Sequence, residues 1–555
     1  MTASPPPLSA RASLRPVLLV AAVTVVCLAP FLTKAFHVDD YLFLRSAQQI
    51  RAHPADPFGV MVNWYGFPMP LADVTKNPPG AAYFIAAAST LVGWSEFGLH
   101  LAFLLPAVAA VIGTYFLARR MCDRPLGAAL ATLLTPAFLV SGTTVMCDTL
   151  LLACWVWATL LWIRGVEQRD WLALTGAAVL MAAAALTKYF GACLIPLLLS
   201  YAVVRECRAG WWIAFAAVPV LALLVYDWAT AARYGHGMFL DAGSYAMAAR
   251  DRGPLLLRVL TTAAFAGGSA ATVLFLAPLL CSWLGRILGL VGVAGLFALL
   301  HGVDALGVLP LRIDGTFQWL PAAQFAVLAG GGGALVALVV WDFWRCRDAV
   351  AVLLGLWVTG TLLFTGFLNW TINVRSILPL LPAAAILAMR QLQRRRGPAA
   401  PERWASLWPL LPAGGLALAV AWADARLADS ARTAAVEICT RHENTPGKVW
   451  FQGHWGFQYY MEAHGAVPLN SSQPDVRVGD WLVNPNNNTN VGTIHPGYFR
   501  SVGRVEQTAG RWLSTMHSEV GAGFYADVFG PMPFAFGAVP AEGYEILQFA
   551  PAQWR

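Results

Sequence analysis

Long apolar runs, separated by short polar segments, fill most of the first 422 residues of the chain. A helix needs about 20 such residues to cross the hydrocarbon core of a bilayer. The pattern predicts a mainly α, polytopic membrane domain over 15–422, preceded by a cytoplasmic tail at 1–14. The candidate transmembrane segments are 15–34, 79–94, 97–118, 126–140, 145–163, 171–187, 190–204, 211–228, 256–280, 287–300, 320–340, 349–368, 375–390 and 405–422.

Arginine positions predict the orientation of these helices, because short cytoplasmic loops accumulate positive charge. From Arg119 onward, alternate loops follow this rule, with the N-terminus inside and the C-terminus outside. This orientation agrees with the cytoplasmic N-terminus only if residues 79–118 cross the membrane once. The run at 79–94 would form about 24 Å of helix, short for a core of about 30 Å. We therefore predict about 13 transmembrane helices and a first outer loop at 35–78.

The segment 423–555 has a different pattern, with strand-like stretches at 448–451, 479–483 and 544–549. Polar turns such as 484–488 separate these stretches, an arrangement typical of short strands. The segment is long enough to bury its own core. It is predicted to be a small α/β domain on the outer, periplasmic side of the membrane.

The composition supports a membrane protein, since 58% of the residues are hydrophobic and only 12% are charged. Ordinary soluble domains carry about 25% charged residues, so a cytosolic enzyme and a disordered scaffold are excluded. The net charge of +7 is explained by basic cytoplasmic loops, and no nucleic-acid partner is expected. Only Cys439 follows the last apolar run, which excludes a disulfide within the C-terminal segment.

Ionisable residues at the outer ends of apolar helices are candidates for a functional site. The first group is Asp39 and Asp40, just after the first predicted helix. A carboxylate at the membrane boundary suits a general base, and adjacent carboxylates raise the pKa of one another. The alternative is that either aspartate caps a helix at 41–51.

Two further groups have both a functional and a structural interpretation. Lys76 and Asn77 precede two prolines that start an apolar run, where backbone amides could face an anion or where the prolines simply begin a helix. Asp148 stands at the start of the 145–163 helix. It could contact substrate or only complement the helix dipole.

Two cations complete the candidate set. Lys188 lies between two apolar runs, and Arg375 opens a late one. Either cation could bind a phosphate, although a lysine here could also extend to the membrane interface. Cations and carboxylates at one face together indicate an anionic, lipid-linked substrate. No Cys/His pair has zinc spacing, and glycines 330–333 lie within a span, which favours helix packing over phosphate binding.

The order of these motifs resembles the GT-C superfamily of membrane glycosyltransferases over about residues 15–387. More closely, the chain resembles the family 39 proteins, which are similar to protein O-mannosyltransferases and to the lipid A aminoarabinose transferase. The motifs that carry the resemblance are Asp39-Asp40-Tyr41, Asn77-Pro78-Pro79, Cys147-Asp148-Thr149, Leu186-Thr187-Lys188 and Arg375-Ser376-Ile377-Leu378-Pro379.

The resemblance implies roles for individual residues. Asp39 would be the base-like carboxylate of the first outer loop, and Asp40 stands where relatives often have Glu. Asp148 would be the second acid. Lys188 would hold the phosphate of a polyprenyl-phosphate sugar, with Arg375 near the same phosphate.

One departure concerns a metal. In the aminoarabinose transferase a Glu-Lys pair precedes the proline motif, and its Glu helps bind a metal. This chain has Lys76-Asn77 at those positions, so no metal ligand is assigned and a divalent metal cofactor is left undecided. Lys76 could itself contact an anion.

The implied activity is transfer of a sugar, with inversion, from a polyprenyl-phosphate donor to an unidentified protein or lipid acceptor. The reaction would occur at the outer face of a bacterial cytoplasmic membrane. The main alternative is a transporter or flippase of a lipid-linked sugar, although the repeated halves that many transporters show are missing. A third interpretation is a non-catalytic envelope protein.

Overall fold

The computed structural model describes residues 14–249, 253–396, 407–495 and 497–550. Within these ranges ten helices are long and apolar enough to cross a membrane. The mainly α, polytopic membrane fold is thereby confirmed. The ten helical segments are Leu14–Phe31, Glu96–Met121, Asp148–Gln168, Tyr189–Glu206, Ile213–Tyr234, Trp283–Leu300, Trp319–Cys346, Ala349–Leu368, Val374–Arg395 and Leu410–His442.

The count of about 13 predicted spans exceeds what the described residues contain, which is ten, or eleven if one bent pair is a single span. The predicted helix at 126–140 is wrong as a continuous span. Pro136 has no N–H, and Thr135 caps a new helix by accepting a hydrogen bond from the Phe138 amide. The result is two short helices, Pro125–Leu133 and Pro136–Ser141.

The predicted helix at 256–280 is also interrupted. It consists of Leu255–Ser269 and Ala271–Leu280, which meet at 82°. Two other candidate segments form short apolar helices, Gly80–Val92 and Trp171–Thr187. The first has 13 residues, or about 20 Å. That length suits the prediction that 79–118 crosses once, which stays a prediction because it depends on the position of the bilayer.

Shorter helices connect these segments. Two of them, Asp40–Ala52 and Leu71–Val74, lie in the predicted first outer loop, and a third, Met238–Ala248, lies between the candidate segments 211–228 and 256–280. The loop at 301–319 forms two small antiparallel ribbons. Strands Met61–Asn63 and Pro68–Pro70 pair in the first loop. The predicted N-terminal tail lies outside the described residues except for Leu14.

The last helix, Leu410–His442, continues well past residue 422, where the sequence analysis ended the membrane domain. Its apolar face does not stop there, since Ala428, Ala434, Ala435 and Ile438 are all buried. The helix therefore runs from the membrane domain into the C-terminal region. The predicted domain division at 423 remains a prediction.

The C-terminal region is built on a mixed five-stranded sheet with one helix, Trp455–Ala463. The spatial order of the strands is Phe499–Gln507, Glu542–Phe549, Trp481–Pro485, Val449–Phe451 and Val467–Pro468. In this order, the first three strands pair antiparallel to one another, and the last three pair in parallel. The sheet and its helix confirm the predicted small domain that contains β-structure.

Glycines allow two membrane helices to pack closely. In Trp319–Cys346, a Cβ atom added at Gly332 would overlap the backbone carbonyl of Ala263 on the neighbouring helix. Gly267, on that neighbouring helix, approaches the backbone of Leu328 in the same way. Small residues let helices approach this closely, so the glycine run serves packing, as its position within a span predicted.

Replacing Gly332 with alanine should lower the thermal stability of the detergent-purified protein, because the added methyl group must displace the backbone of Ala263. Overpacking of this kind typically costs about 1–3 kcal/mol. Gly333→Ala is a matched control, since its added Cβ meets no atom within 4 Å. Unfolding followed by intrinsic tryptophan fluorescence measures both variants, and equal melting temperatures would contradict the packing argument.

Candidate functional site

A cavity of about 840 Å³ lies between the membrane helices and the C-terminal region. Its wall contains five of the seven residues that the sequence analysis selected. These five are Asp39, Lys76, Asn77, Lys188 and Arg375. They come from four separate segments of the chain, so the fold brings the predicted cations and one predicted carboxylate to a single chamber.

Asp39 forms an ion pair with Arg375, and 2.7 Å separate its Oδ2 atom from the guanidinium Nη2. Arg375 lies in a short helix that Asn373 caps by accepting a hydrogen bond from the Ser376 amide. Val38, directly before Asp39, is buried and has φ of 45°, a backbone conformation that a β-branched residue rarely adopts. Such strain persists only where the surroundings fix it, so the position of Asp39 is tightly determined.

Lys188 forms an ion pair with Asp148, and its Nζ atom lies 2.8 Å from Oδ1. Asp148 is the first residue of the helix Asp148–Gln168, and Lys188 directly follows the end of Trp171–Thr187. Both positions suit the helix dipoles. Asp148 is buried behind Lys188, and its Oδ2 atom has no hydrogen-bond partner among the described residues. Asp148 therefore contacts Lys188 rather than the cavity itself.

Lys76 pairs with Asp241, at 2.7 Å between Nζ and Oδ2. Asp241 belongs to the helix Met238–Ala248, which forms one side of the cavity. This helix lies between the candidate transmembrane segments 211–228 and 256–280, where no predicted site residue was assigned. Asn77 lies beside Cys147, and 3.9 Å separate the Asn77 Oδ1 atom from the Cys147 Sγ atom.

Asp40 occupies a different environment from Asp39. It is fully buried, and its two carboxylate oxygens accept hydrogen bonds from the amides of His37 and Val145. Burial raises its pKa to about 7, partly opposed by these two hydrogen bonds. Among the hydrogen bonds of the described residues, none joins the Asp39 or Asp40 side chain to the first amides of the helix Asp40–Ala52 as a cap. Asp40 instead joins the first loop to the segment before Asp148.

The residues of the site do not form a set of metal ligands. No group of three His, Cys, Asp or Glu side chains within the described ranges is close enough to hold a metal ion. Asp39 and Asp148 are each paired with a cation, and Lys76 is itself a cation paired with Asp241. The donor set therefore does not fit a divalent metal, and no step is assigned to one.

The C-terminal region contributes residues to the cavity that the sequence analysis missed. The ring of Tyr525 lies 5.7 Å from the guanidinium carbon of Arg375. The neighbouring Phe524 carbonyl accepts the Val374 amide, and the Asp527 carboxylate accepts the Ile372 amide. These contacts hold the segment that carries Arg375. Apart from Asp527, the segment 522–529 is uncharged and contains no motif, so the sequence gives no indication of its place beside Arg375.

A buried ionic network lies behind the first loop. Asp424, on the last long helix, accepts hydrogen bonds from Lys34 at 2.6 Å, Tyr525 at 3.0 Å and Thr515 at 2.8 Å. His37 lies 3.8 Å from the same carboxylate. Burial raises the pKa of Tyr525 well above its usual value and lowers that of His37 to about 4. Tyr525 thus remains a hydrogen-bond donor, and His37 is neutral at pH 7.

Residues 76–228 match the family model described as dolichyl-phosphate-mannose-protein mannosyltransferase. This match confirms, over those residues, the resemblance to membrane glycosyltransferases that the motifs predicted. It includes four of the predicted site residues, but Asp39, Asp40 and Arg375 lie outside it. No curated protein sequence matches the chain.

Solved structures with a similar fold include AglB, the oligosaccharyltransferase of Archaeoglobus fulgidus, in complex with an inhibitory peptide and a dolichol-phosphate. It is 14% identical, with a TM-score of 0.48 over 82% of this chain and 64% of AglB. The chain thus spans slightly less than two thirds of that relative. ArnT from Cupriavidus metallidurans, bound to undecaprenyl phosphate, is 15% identical, with a TM-score of 0.45 over 83% of this chain and 87% of ArnT.

Replacing Asp424 with asparagine should destabilise the protein strongly, because the Lys34 ammonium would be left buried without a counter-charge. Removing one partner of a buried ion pair typically costs about 3–5 kcal/mol. The control is Asp475→Asn, which removes an exposed partner of Arg477 and should cost at most about 1 kcal/mol. Thermal unfolding in detergent measures both. Similar small shifts for the two variants would contradict a structural role for Asp424.

Proposed function

We propose that this protein is a membrane glycosyltransferase that moves a sugar from a polyprenyl-phosphate donor to an acceptor, with inversion. In this proposal it lies in a bacterial cytoplasmic membrane, and the cavity and the C-terminal region face the periplasm. The observation that carries the proposal is the placement of Asp39, Lys188 and Arg375 around one cavity. The matched family model, named for transfer from a lipid-phosphate sugar, supports the same class of reaction.

The cations of the cavity suit the leaving group of this reaction. When the bond between the sugar C1 and the phosphate oxygen breaks, negative charge grows on the polyprenyl phosphate. Lys188 and Arg375 would stabilise that charge in a partly buried site, where fixed charges act more strongly than in water. The apolar wall, which includes Phe190, Phe364 and Leu240, suits the prenyl chain next to the phosphate.

Asp39 would serve as the base on the acceptor side. The acceptor hydroxyl oxygen attacks C1 from the face opposite to the phosphate, its proton passes to the Asp39 carboxylate, and the polyprenyl phosphate leaves. A single displacement of this kind inverts the configuration at C1. The cavity would hold donor and acceptor close to the geometry of attack.

The ion pairs of the cavity suggest an order for these events. Each cavity cation is paired with one acid, so an incoming phosphate must compete with Asp39 for Arg375 and with Asp148 for Lys188. A carboxylate bound to a guanidinium is a weak base. Movement of Arg375 toward the phosphate would therefore free Asp39 to accept a proton only after the donor has bound.

The remaining predicted residues act indirectly in this proposal. Asp40 holds the loop that carries Asp39 through its two backbone hydrogen bonds. Asp148 orients Lys188. Lys76 and Asn77 lie on the wall and would contact the donor headgroup.

Replacing Asp39 with asparagine should reduce sugar transfer by about 10²–10⁴-fold, the usual contribution of a general base, while donor binding persists. Mass spectrometry of envelope lipids and glycoproteins, from cells with the wild-type chain or with the variant, reports the transfer product. Asp304→Asn, which changes an exposed aspartate of the 301–319 loop, serves as the control. Undiminished product with Asp39→Asn would refute the assigned base, and lipid translocation without any product would favour a flippase.

Replacing Lys188 with glutamine should weaken binding of undecaprenyl phosphate at least about tenfold, because a charged hydrogen bond contributes about 1.5–3 kcal/mol. Native mass spectrometry of the detergent-solubilised protein measures this affinity. Lys448→Gln is the matched control, since Lys448 lies in the C-terminal sheet region and packs against Trp450. Equal affinities for both variants would remove Lys188 from the phosphate site.

A further inference from the structure

A second, smaller pocket of about 250 Å³ lies between the first loop and the C-terminal region. Its lining residues include Asn63, Gln452, His454, Ser471 and the ring of Tyr65. Tyr65 and Asn490 line both this pocket and the main cavity, so the two spaces adjoin. The volume is much larger than the space that one water molecule needs.

The pocket carries no charged side chain among its lining residues, all of which are described. His454 is also neutral, because burial lowers its pKa to about 4. A phosphate or carboxylate would enter this space without a counter-charge, which is unfavourable. The pocket therefore suits a neutral ligand, in contrast to the main cavity with its three cations.

The hydrogen bonds of His454 fix which ring nitrogen carries the proton. The side-chain amide of Gln458 donates to the Asn63 carbonyl at 3.0 Å and to Glu462 at 2.8 Å. Its oxygen therefore faces His454 Nδ1, at 3.0 Å. An amide oxygen only accepts, so Nδ1 carries the proton and Nε2 is an acceptor.

Two acceptor atoms of the pocket residues lack partners. His454 Nε2 and Asn63 Oδ1 are both buried and have no hydrogen-bond partner among the described residues. The Asn63 amide nitrogen is already used, since it donates to the Leu469 carbonyl at 2.9 Å. Unsatisfied buried acceptors are unfavourable, and a ligand with two hydrogen-bond donors would satisfy them.

Backbone groups beside the pocket are mostly engaged, which disfavours an extended peptide as the ligand. Leu469 N donates to the Phe451 carbonyl, and Gly492 N donates to Gln452 Oε1. Pro468 on the edge strand has no N–H to offer. A peptide that pairs as an extra strand needs such free backbone groups, whereas a ring with several hydroxyls does not.

We propose that this pocket binds a neutral sugar ring of the acceptor and presents a neighbouring hydroxyl to the main cavity. Hydroxyl donors would satisfy His454 Nε2 and Asn63 Oδ1, and the ring would lie against Tyr65. This inference rests on the proposed transfer function and assigns a carbohydrate as the acceptor class. The acceptor would then be a glycan or a glycolipid headgroup rather than a serine or threonine side chain.

Saturation-transfer NMR with methyl α-mannopyranoside, methyl β-glucopyranoside and methyl β-galactopyranoside tests the proposal. The protein is kept in lauryldimethylamine oxide, because detergents with sugar headgroups would compete for the pocket. At least one glycoside should bind the wild-type chain. Its affinity should fall about tenfold when one hydrogen bond is lost, as in His454→Phe, which keeps a ring beside Trp64 but removes the acceptor.

Two further variants complete the design. Gln452→Ala changes a partly exposed pocket residue with little risk to folding, and it should also weaken glycoside binding. His464→Phe changes an exposed histidine outside the pocket and should leave binding unchanged. Thermal unfolding verifies that each variant is folded, and binding of undecaprenyl phosphate by native mass spectrometry should be the same for all.

The possible failures are distinguishable. Absence of binding for all three glycosides, or equal affinities for wild type and both pocket variants, would overturn the sugar pocket while the Asp39→Asn result still decides the transferase function. Binding of the peptide acetyl-Ala-Ser-Ala-amide that His454→Phe abolishes would also overturn it, since the pocket would then receive a protein acceptor. Both the glycoside-binding and the peptide-binding results can be interpreted without a measurement of sugar transfer.

Discussion

The buried ion pair between Lys34 and Asp424 is the interaction on which the rest of the site depends. Lys34 follows the first membrane helix, Asp424 lies on the last long helix, and Tyr525 joins them from the C-terminal region. A charge in an apolar interior is tolerated only when its partners saturate it. This requirement fixes three distant parts of the chain relative to one another, and Asp39 stands five residues after Lys34.

A second constraint is the balance of charge around the main cavity. Asp39, Asp148 and Asp241 each oppose one cation, so the cavity has little net charge despite three basic side chains. Such pairing lets a partly apolar chamber fold without a ligand. It also means that an anion gains binding energy only by exchanging partners with a carboxylate. Under the proposed function, this exchange links donor binding to release of the base.

The sequence was sufficient to select five residues that line the main cavity, because polar and ionisable side chains stand out in an apolar chain. Their pairing could not be predicted, since Asp39 and Arg375 are separated by 336 positions, and Lys76 and Asp241 by 165. Long apolar runs predicted most of the membrane helices. The break at Pro136 and the 82° bend near residue 270 depend on tertiary packing, which hydropathy does not report. Tyr525 carried no signal, because its role comes entirely from the residues that the fold places around it.

The two adjoining cavities differ in chemistry in a way that would orient a reaction. The described residues that the C-terminal region adds to the main cavity carry no charge, and the side pocket is neutral as well. The cations all lie on segments of the predicted membrane domain and its loops. A phosphate is disfavoured in the neutral pocket, and an uncharged sugar gains little from displacing the ion pairs. Donor and acceptor would therefore occupy adjoining spaces of different chemistry, and neither would compete for the other's site.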